Sequence, residues 1–166
     1  MATRKNMAII GATSAIGILI AESMATAYDV LLMDNSDDDL IALTSRIKLQ
    51  QAAANIHSLA CCREASWEAD VIVVAAAPEQ LPAIAEKIKE VTNRKPVIHF
   101  RPTDADAVLL QNLLPHANVV VVQFAPTAAN GRTQTVARIG GADTEALQIT
   151  NEIIEKSFDA AHNSAA

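Results

Sequence analysis

Met7-Ala-Ile-Ile-Gly-Ala-Thr-Ser-Ala-Ile-Gly17 is the stretch on which the fold turns. Four apolar residues run into a glycine. A turn of small residues follows, and a second glycine sits at the opening of a helical pattern. The pattern predicts a buried strand, a tight turn and a helix N-terminus in direct succession. Gly11 lets the chain turn sharply, and Gly17, one turn into the helix, lets helix and strand pack closely. Backbone N–H groups from Thr13 to Ile16, with the positive end of the helix dipole, would face a pyrophosphate. The spacing is G-x-x-x-x-x-G. Ser14 and Ala15 stand where related motifs often carry a glycine, and both are small. By itself this stretch fits either a dinucleotide site or an ordinary strand–turn–helix.

Asp34 favours the dinucleotide site. It ends the next apolar run, Val30-Leu-Leu-Met33, and stands 23 residues after Gly11. An acid about 20 residues on, at the end of the second strand, accepts hydrogen bonds from the adenosine ribose hydroxyls. The two features together read as a Rossmann-type nucleotide site. Its candidate residues are Gly11, Ala12, Thr13, Ser14, Ala15, Ile16 and Gly17 in the turn, and Asp34, Asn35 and Ser36 after the second strand.

Working outward, 166 residues suit one domain with one core. Half the residues are hydrophobic and only 3% aromatic, which suits a packed α/β domain and argues against disorder. A net charge of −6, with no basic cluster beyond the Arg4-Lys5 and Arg94-Lys95 pairs, argues against nucleic-acid binding. The uninterrupted apolar runs are too short to span a bilayer. Met-Ala-Thr-Arg-Lys-Asn is followed by no signal-length apolar region, so a cytoplasmic location is expected. Cys61 and Cys62 are adjacent and lack the spacing of a zinc site or a C-x-x-C redox pair; buried or half-buried thiols are expected.

The remaining chain alternates strands and helices. Strands are expected at Met7–Ile10, Asp29–Met33, Ile56–Ala60, Asp70–Ala77, Pro96–Phe100 and Asn118–Phe124. A first helix is expected from Ser14 to about Ala27. Ser36 reads as the N-cap of the next, with Leu40, Leu43 and Ile47 as its buried stripe. A helical turn from Cys62 to Ala69 should point Trp67 inward. Pro78 should open a helix with Leu81, Ile84, Ile88 and Val91 on its apolar face. Thr103-Asp-Ala-Asp106 resembles a capping box before a helix to Leu114. Asn130-Gly131 is a turn signal, making Gln134–Ile139 an antiparallel edge strand. A last helix should run from Thr144 to Phe158, with a fraying tail at Ala160–Ala166. The expected fold is α/β: a doubly wound, mostly parallel sheet with helices on both faces. The nucleotide-binding domain would occupy residues 1–166, leaving no separate substrate domain.

Several stretches together resemble the coenzyme F420-dependent NADP oxidoreductases, single-domain relatives of pyrroline-5-carboxylate reductase. They are Ile9-Ile-Gly-Ala-Thr13, Ala69-Asp-Val-Ile-Val-Val-Ala-Ala-Ala-Pro78, Leu113-Leu-Pro-His-Ala-Asn-Val-Val120 leading to Gln123-Phe-Ala125, and Gly141-Ala-Asp-Thr-Glu-Ala-Leu147 with Ser157-Phe-Asp159. The resemblance covers almost the whole chain in order. It implies a nicotinamide dinucleotide cofactor and hydride transfer to a flavin or F420-like partner. Three departures stand out. Ser14 replaces the middle glycine. Gln123-Phe124-Ala125 replaces the family's Ala-Phe-Asn. Asp34, with Asp37, Asp38 and Asp39 close behind, replaces the usual 2′-phosphate signature. Four acids would repel that phosphate, so NAD is expected over NADP. The turn also resembles the short-chain dehydrogenases, but their Tyr-x-x-x-Lys pair is missing: the only tyrosine is Tyr28, and Leu32 stands four residues on.

In an open α/β sheet the ligand lies beyond the carboxyl ends of the strands. Small Ala75, Ala76 and Ala77, with Pro78, would let ribose and nicotinamide lie against the backbone. Arg101 could hold an anionic substrate or pair with Asp104 or Asp106 at the surface. Gln123 and Phe124 are further substrate candidates, Phe124 and Pro126 as apolar walls for a flavin-like partner. His99 reads as a core histidine, and no metal cluster or catalytic set emerges. Hydride transfer between two bound cofactors needs orientation more than an acid or base. The expected function is therefore a nicotinamide-dinucleotide oxidoreductase acting on a small-molecule substrate, as a single chain or a homo-oligomer. A non-catalytic NAD sensor and a degenerate scaffold are the alternatives.

Overall fold

The computed structural model describes residues 3–101, 107–129 and 132–159. Seven strands form one sheet: β1 (Asn6–Ile10), β2 (Asp29–Met33), β3 (Ile56–Ser58), β4 (Val71–Val74), β5 (Pro96–Arg101), β6 (Asn118–Ala129) and β7 (Arg132–Gly140). Their order is β3-β2-β1-β4-β5-β6-β7, and all neighbours are parallel except the β6–β7 pair. The sheet is thus wound in two directions from β1, as expected, with an antiparallel strand at its C-terminal edge. The Asn130-Gly131 turn, the Thr103–Asp106 box and the 160–166 tail lie outside the described residues.

Helices α1 (Ala15–Met24), α2 (Asp37–Gln50), α3 (Cys62–Glu68), α4 (Leu81–Ile88), α5 (Ala107–Leu113) and α6 (Thr144–Ile154) fill the connections. The two faces of β1 show why its run is apolar throughout. Met7 and Ile9 pack with Ile20 and Met24 of α1 and Ile149 and Ile153 of α6. Ala8 and Ile10 pack on the opposite side with Leu81 and Ile88 of α4. A central parallel strand has no solvent face, so period-two alternation gives way to continuous hydrophobicity.

Local signals set most helix ends. Ser14 caps α1 by accepting from the Gly17 N–H, and Ser36 caps α2 by accepting from the Asp39 N–H. Leu40, Leu43 and Ile47 are the buried stripe of α2. Asp143 caps α6, which continues into a π-helical turn at Glu155–Asp159. Pro78 opens a short 3₁₀ turn, Pro78–Gln80, and α4 follows it from Leu81.

Trp67 corrects the sequence expectation. It does not pack inward but is 69% exposed. α3 buries Cys62, Ala65 and Ser66, and the 100° step of the helix carries the next residue around towards solvent. β3 also ends at Ser58, two residues short of the expected Ala60. Among the described residues no helix is long and apolar enough to cross a membrane.

Candidate functional site

The direction of winding changes between β1 and β4, and a crevice opens there at the carboxyl ends of the strands. β1 runs straight into Gly11, whose φ of +82° lies in the left-handed region. A Cβ there would stand 2.6 Å from the Ala76 nitrogen and 2.7 Å from the Ala75 carbonyl carbon. The turn after β1 is therefore seated directly on the chain leaving β4. Gly17 performs the second close approach: a Cβ there would stand 2.3 Å from the Gly11 oxygen and 2.9 Å from the Ala12 Cα. Two absent side chains fix the height of α1 above the strand.

The N–H groups of the turn divide into two sets. Those of Gly11 and Ala12 donate to the Met33 oxygen at 2.9 and 3.2 Å, stitching the turn to the end of β2. The Thr13 N–H donates to Asp34 Oδ2 at 2.9 Å, and the Ser14 N–H to the Gly11 oxygen at 3.1 Å. The Gly17 N–H goes to Ser14 Oγ. Among the described residues, no acceptor is assigned to the N–H groups of Ala15 and Ile16, at the N-terminus of α1. The donors open to an anion are thus these two rather than the whole run from Thr13 to Ile16.

Ser14 stands in the position of the middle glycine but turns its side chain back under the loop. Its hydroxyl donates to the Gly11 oxygen at 2.8 Å and accepts from the Gly17 N–H at 3.0 Å. Ser14→Ala removes both bonds. It should cost about 1 kcal/mol of stability, as for other serine caps. Urea denaturation would measure this; an unchanged midpoint would mean that the hydroxyl holds nothing.

Asp34 lies at the end of β2 and is half-buried. Oδ2 accepts from both the Thr13 N–H at 2.9 Å and the Thr13 hydroxyl at 2.6 Å. Oδ1 accepts from the Asn35 N–H at 2.7 Å. Burial pushes the carboxyl's pKa up, but the bonds from Thr13 and Asn35 outweigh it and hold the group below the usual carboxylate range. Asp34 is thus ionised at neutral pH, and the stability it lends is lost as pH falls through its depressed native pKa.

Ile10, Gly11, Met33, Asp34, Asn35 and Ala76 line one side of a cleft of about 270 Å³. Glu79, Gln80, Ala83, Ile84 and Lys87 of the 3₁₀–α4 segment and Cys62 of α3 line the rest of it. Burial raises the Cys62 thiol pKa, partly offset by the nearby Lys87 ammonium. Cys61, by contrast, is exposed. These residues of the 3₁₀–α4 segment and Cys62 were not marked as site residues by the sequence. The only signal for Gln80, Ala83, Ile84 and Lys87 is their helical spacing on a face that includes half-buried Ile84.

Other candidates are placed less centrally. Ser36 is occupied in capping α2. Ala75 is buried, with its N–H on the Ile10 oxygen, while Ala77 is exposed and Pro78 begins the 3₁₀ turn. Of the four acids Asp34, Asp37, Asp38 and Asp39, only Asp34 lines the cleft. The other three are exposed in the first turn of α2, where they complement its dipole. Arg101, Gln123 and Arg138 stand side by side in backbone register across β5, β6 and β7, with Phe124 next in β6 opposite Ala137. Gln123 is half-buried; the side chains of Arg101 and Phe124 lie outside the described residues. His99 is fully buried in β5. Among the described residues no three His, Cys, Asp or Glu side chains converge as a metal site. Tyr28, far from the cleft, donates its hydroxyl to Glu152 at 3.0 Å.

No protein-family model matches the chain, nor does any curated protein sequence. Solved structures do match. A putative F420-dependent NADP reductase from Arthrobacter sp. FB24 superposes with a TM-score of 0.71 at 16% identity, over 94% of this chain and 81% of that one. Pyrroline-5-carboxylate reductase from Coxiella burnetii gives 0.69 at 16% identity, over 93% of this chain and 57% of that one. The Plasmodium falciparum pyrroline carboxylate reductase, solved with NADP bound, gives 0.63 at 12% identity, over 92% and 55%. The chain spans little more than half the length of the two pyrroline carboxylate reductases. Both kinds of protein named by the sequence resemblance are therefore among the structural neighbours, and the shared property is the Rossmann-type fold.

Proposed function

We propose that this chain binds a nicotinamide dinucleotide across the crevice between β1 and β4 and is an oxidoreductase. The observation that supports the reading is the seating of Gly11 against Ala75–Ala76 with the Asp34 carboxylate on the same cleft, a glycine turn and an acid that would receive the pyrophosphate and the ribose. The pyrophosphate would lie at the Ala15 and Ile16 N–H groups, and the adenosine between Asp34 and the α4 face. When bound, the nicotinamide supplies the hydride. The protein's part is to orient it near the carboxyl ends of β4 to β6, where Arg101, Gln123 and Phe124 are the candidates for holding a flavin, deazaflavin-like or small organic acceptor. Loops of the same domain or a second subunit would add further contacts.

NAD is the favoured cofactor. The carboxylate of Asp34 would repel a 2′-phosphate at short range, whereas the three acids of α2 add only a screened field from the surface. Isothermal titration with NAD, NADH, NADP and NADPH tests this directly. Binding with preference for NAD(H) is expected; clear preference for NADPH would sink the repulsion argument, and no binding of any of the four would sink the nucleotide site.

A second reading is an NAD-binding sensor without turnover. It is favoured by the absence, among the described residues of the cleft, of a paired acid and base within hydrogen-bond reach. Turnover of a flavin or deazaflavin with the bound dinucleotide separates the two: hydride transfer supports the oxidoreductase, and tight binding without transfer supports the sensor.

A further inference from the structure

We infer that Thr13 sets the discrimination between dinucleotides, because its hydroxyl competes with the adenosine ribose for Asp34. The inference rests on the nucleotide site proposed above and deepens it. A carboxylate offers about four acceptor positions, two on each oxygen. Oδ2 is filled by the N–H and the hydroxyl of Thr13, and Oδ1 already accepts from the Asn35 N–H. About one position is left. The ribose of NAD(H) presents two hydroxyl donors, at the 2′ and 3′ carbons. Both cannot be received unless Thr13 releases its hydroxyl bond, which at 2.6 Å is short and charge-assisted. The ribose of NADP(H) carries a phosphate on its 2′ oxygen and presents only the 3′ hydroxyl. One remaining position suffices for it.

Thr13 therefore taxes NAD(H) and not NADP(H), opposing the repulsion that Asp34 exerts on the 2′-phosphate. The backbone bond of Thr13 to the same oxygen is unaffected by side-chain substitution, so the turn keeps its tie to β2 when the hydroxyl is removed. The bonds of Gly11 and Ala12 to Met33 hold it as well.

The test is isothermal titration of wild type, Thr13→Val, Thr13→Ala and Thr13→Ser with NADH and with NADPH. Thr13→Val keeps the size of the side chain, Thr13→Ala covers the case in which Val folds poorly, and Thr13→Ser restores the hydroxyl. Loss of a competing charge-assisted bond should tighten NADH by about three- to tenfold in the Val and Ala variants and leave NADPH within about twofold. Thr13→Ser should stay at the wild-type ratio. Wild-type binding with no gain for NADH in either variant, or an equal gain for NADPH, overturns the competition while leaving the nucleotide site standing. No binding of either dinucleotide by any of the four proteins overturns the site itself and the inference with it.

Discussion

Gly11→Ala is expected to lower stability by about 3–4 kcal/mol, the sum of a left-handed conformation forced on a residue with a Cβ and an overpacked contact. Both terms come from the same position. The φ of +82° is open to glycine and strained for alanine. The new methyl would also meet Ala76 N at 2.6 Å and Ala76 Cα at 2.8 Å, which are backbone atoms and cannot rotate away as a side chain could. The turn can relax only by lifting off β4, which would also pull on the bonds from Gly11 and Ala12 to Met33. Against a total stability of about 5–15 kcal/mol, this is a large share. For a chain of this length the thermal midpoint should fall by roughly 10 °C. A melting curve checks it. A midpoint within about 2 °C of wild type would mean that the turn and the end of β4 are not in contact as described.

Asp34→Ala should weaken NADH binding by about tenfold to a hundredfold, the worth of hydrogen bonds to a charged acceptor in a half-buried site. The substitution removes the proposed ribose acceptor and also releases the Thr13 N–H and hydroxyl and the Asn35 N–H from their partner. Some loss of stability will accompany the loss of affinity, since among the described residues the turn is then hydrogen-bonded to β2 through Met33 alone. NADPH should suffer much less, because removing the carboxylate also removes its repulsion of the 2′-phosphate. Titration of both dinucleotides separates these effects. An equal loss for NADH and NADPH would show that Asp34 acts only by holding the turn, and unchanged NADH binding would remove it from the site altogether. The sign of the pH dependence is fixed as well. Asp34 is held below its usual pKa by bonds that need its charge, so its contribution is complete above the unfolded carboxylate pKa of about 4 and fades as pH falls through the native value.

Much of this molecule is written locally. The apolar run of β1 ends at Gly11, and Gly17 follows at helical distance. The serines at 14 and 36 cap the next two helices. The Asn118 strand start and the antiparallel edge also follow from short-range patterning, because periodicity, capping and turn chemistry are properties of neighbouring residues. For the same reason the sequence alone placed Asp34 at the end of the second strand. The sequence misplaced Trp67 because size suggested burial, whereas the face of α3 that meets the sheet is chosen by Cys62, Ala65 and Ser66.

What the sequence by itself determined is the alternation of strands and helices, the glycine turn, and the acid that follows the second strand. The tertiary structure alone decided that β4 lies beside β1, so that Ala76 presses on Gly11, and that the 3₁₀ turn and α4 bring Gln80, Ile84 and Lys87 to the cleft. It also decided that the Thr13 hydroxyl already holds Asp34. Each of these joins residues more than 20 positions apart. Such contacts depend on strand order and on which helix faces meet, and these are fixed by burying both faces of the sheet at once rather than by any local stretch of chain.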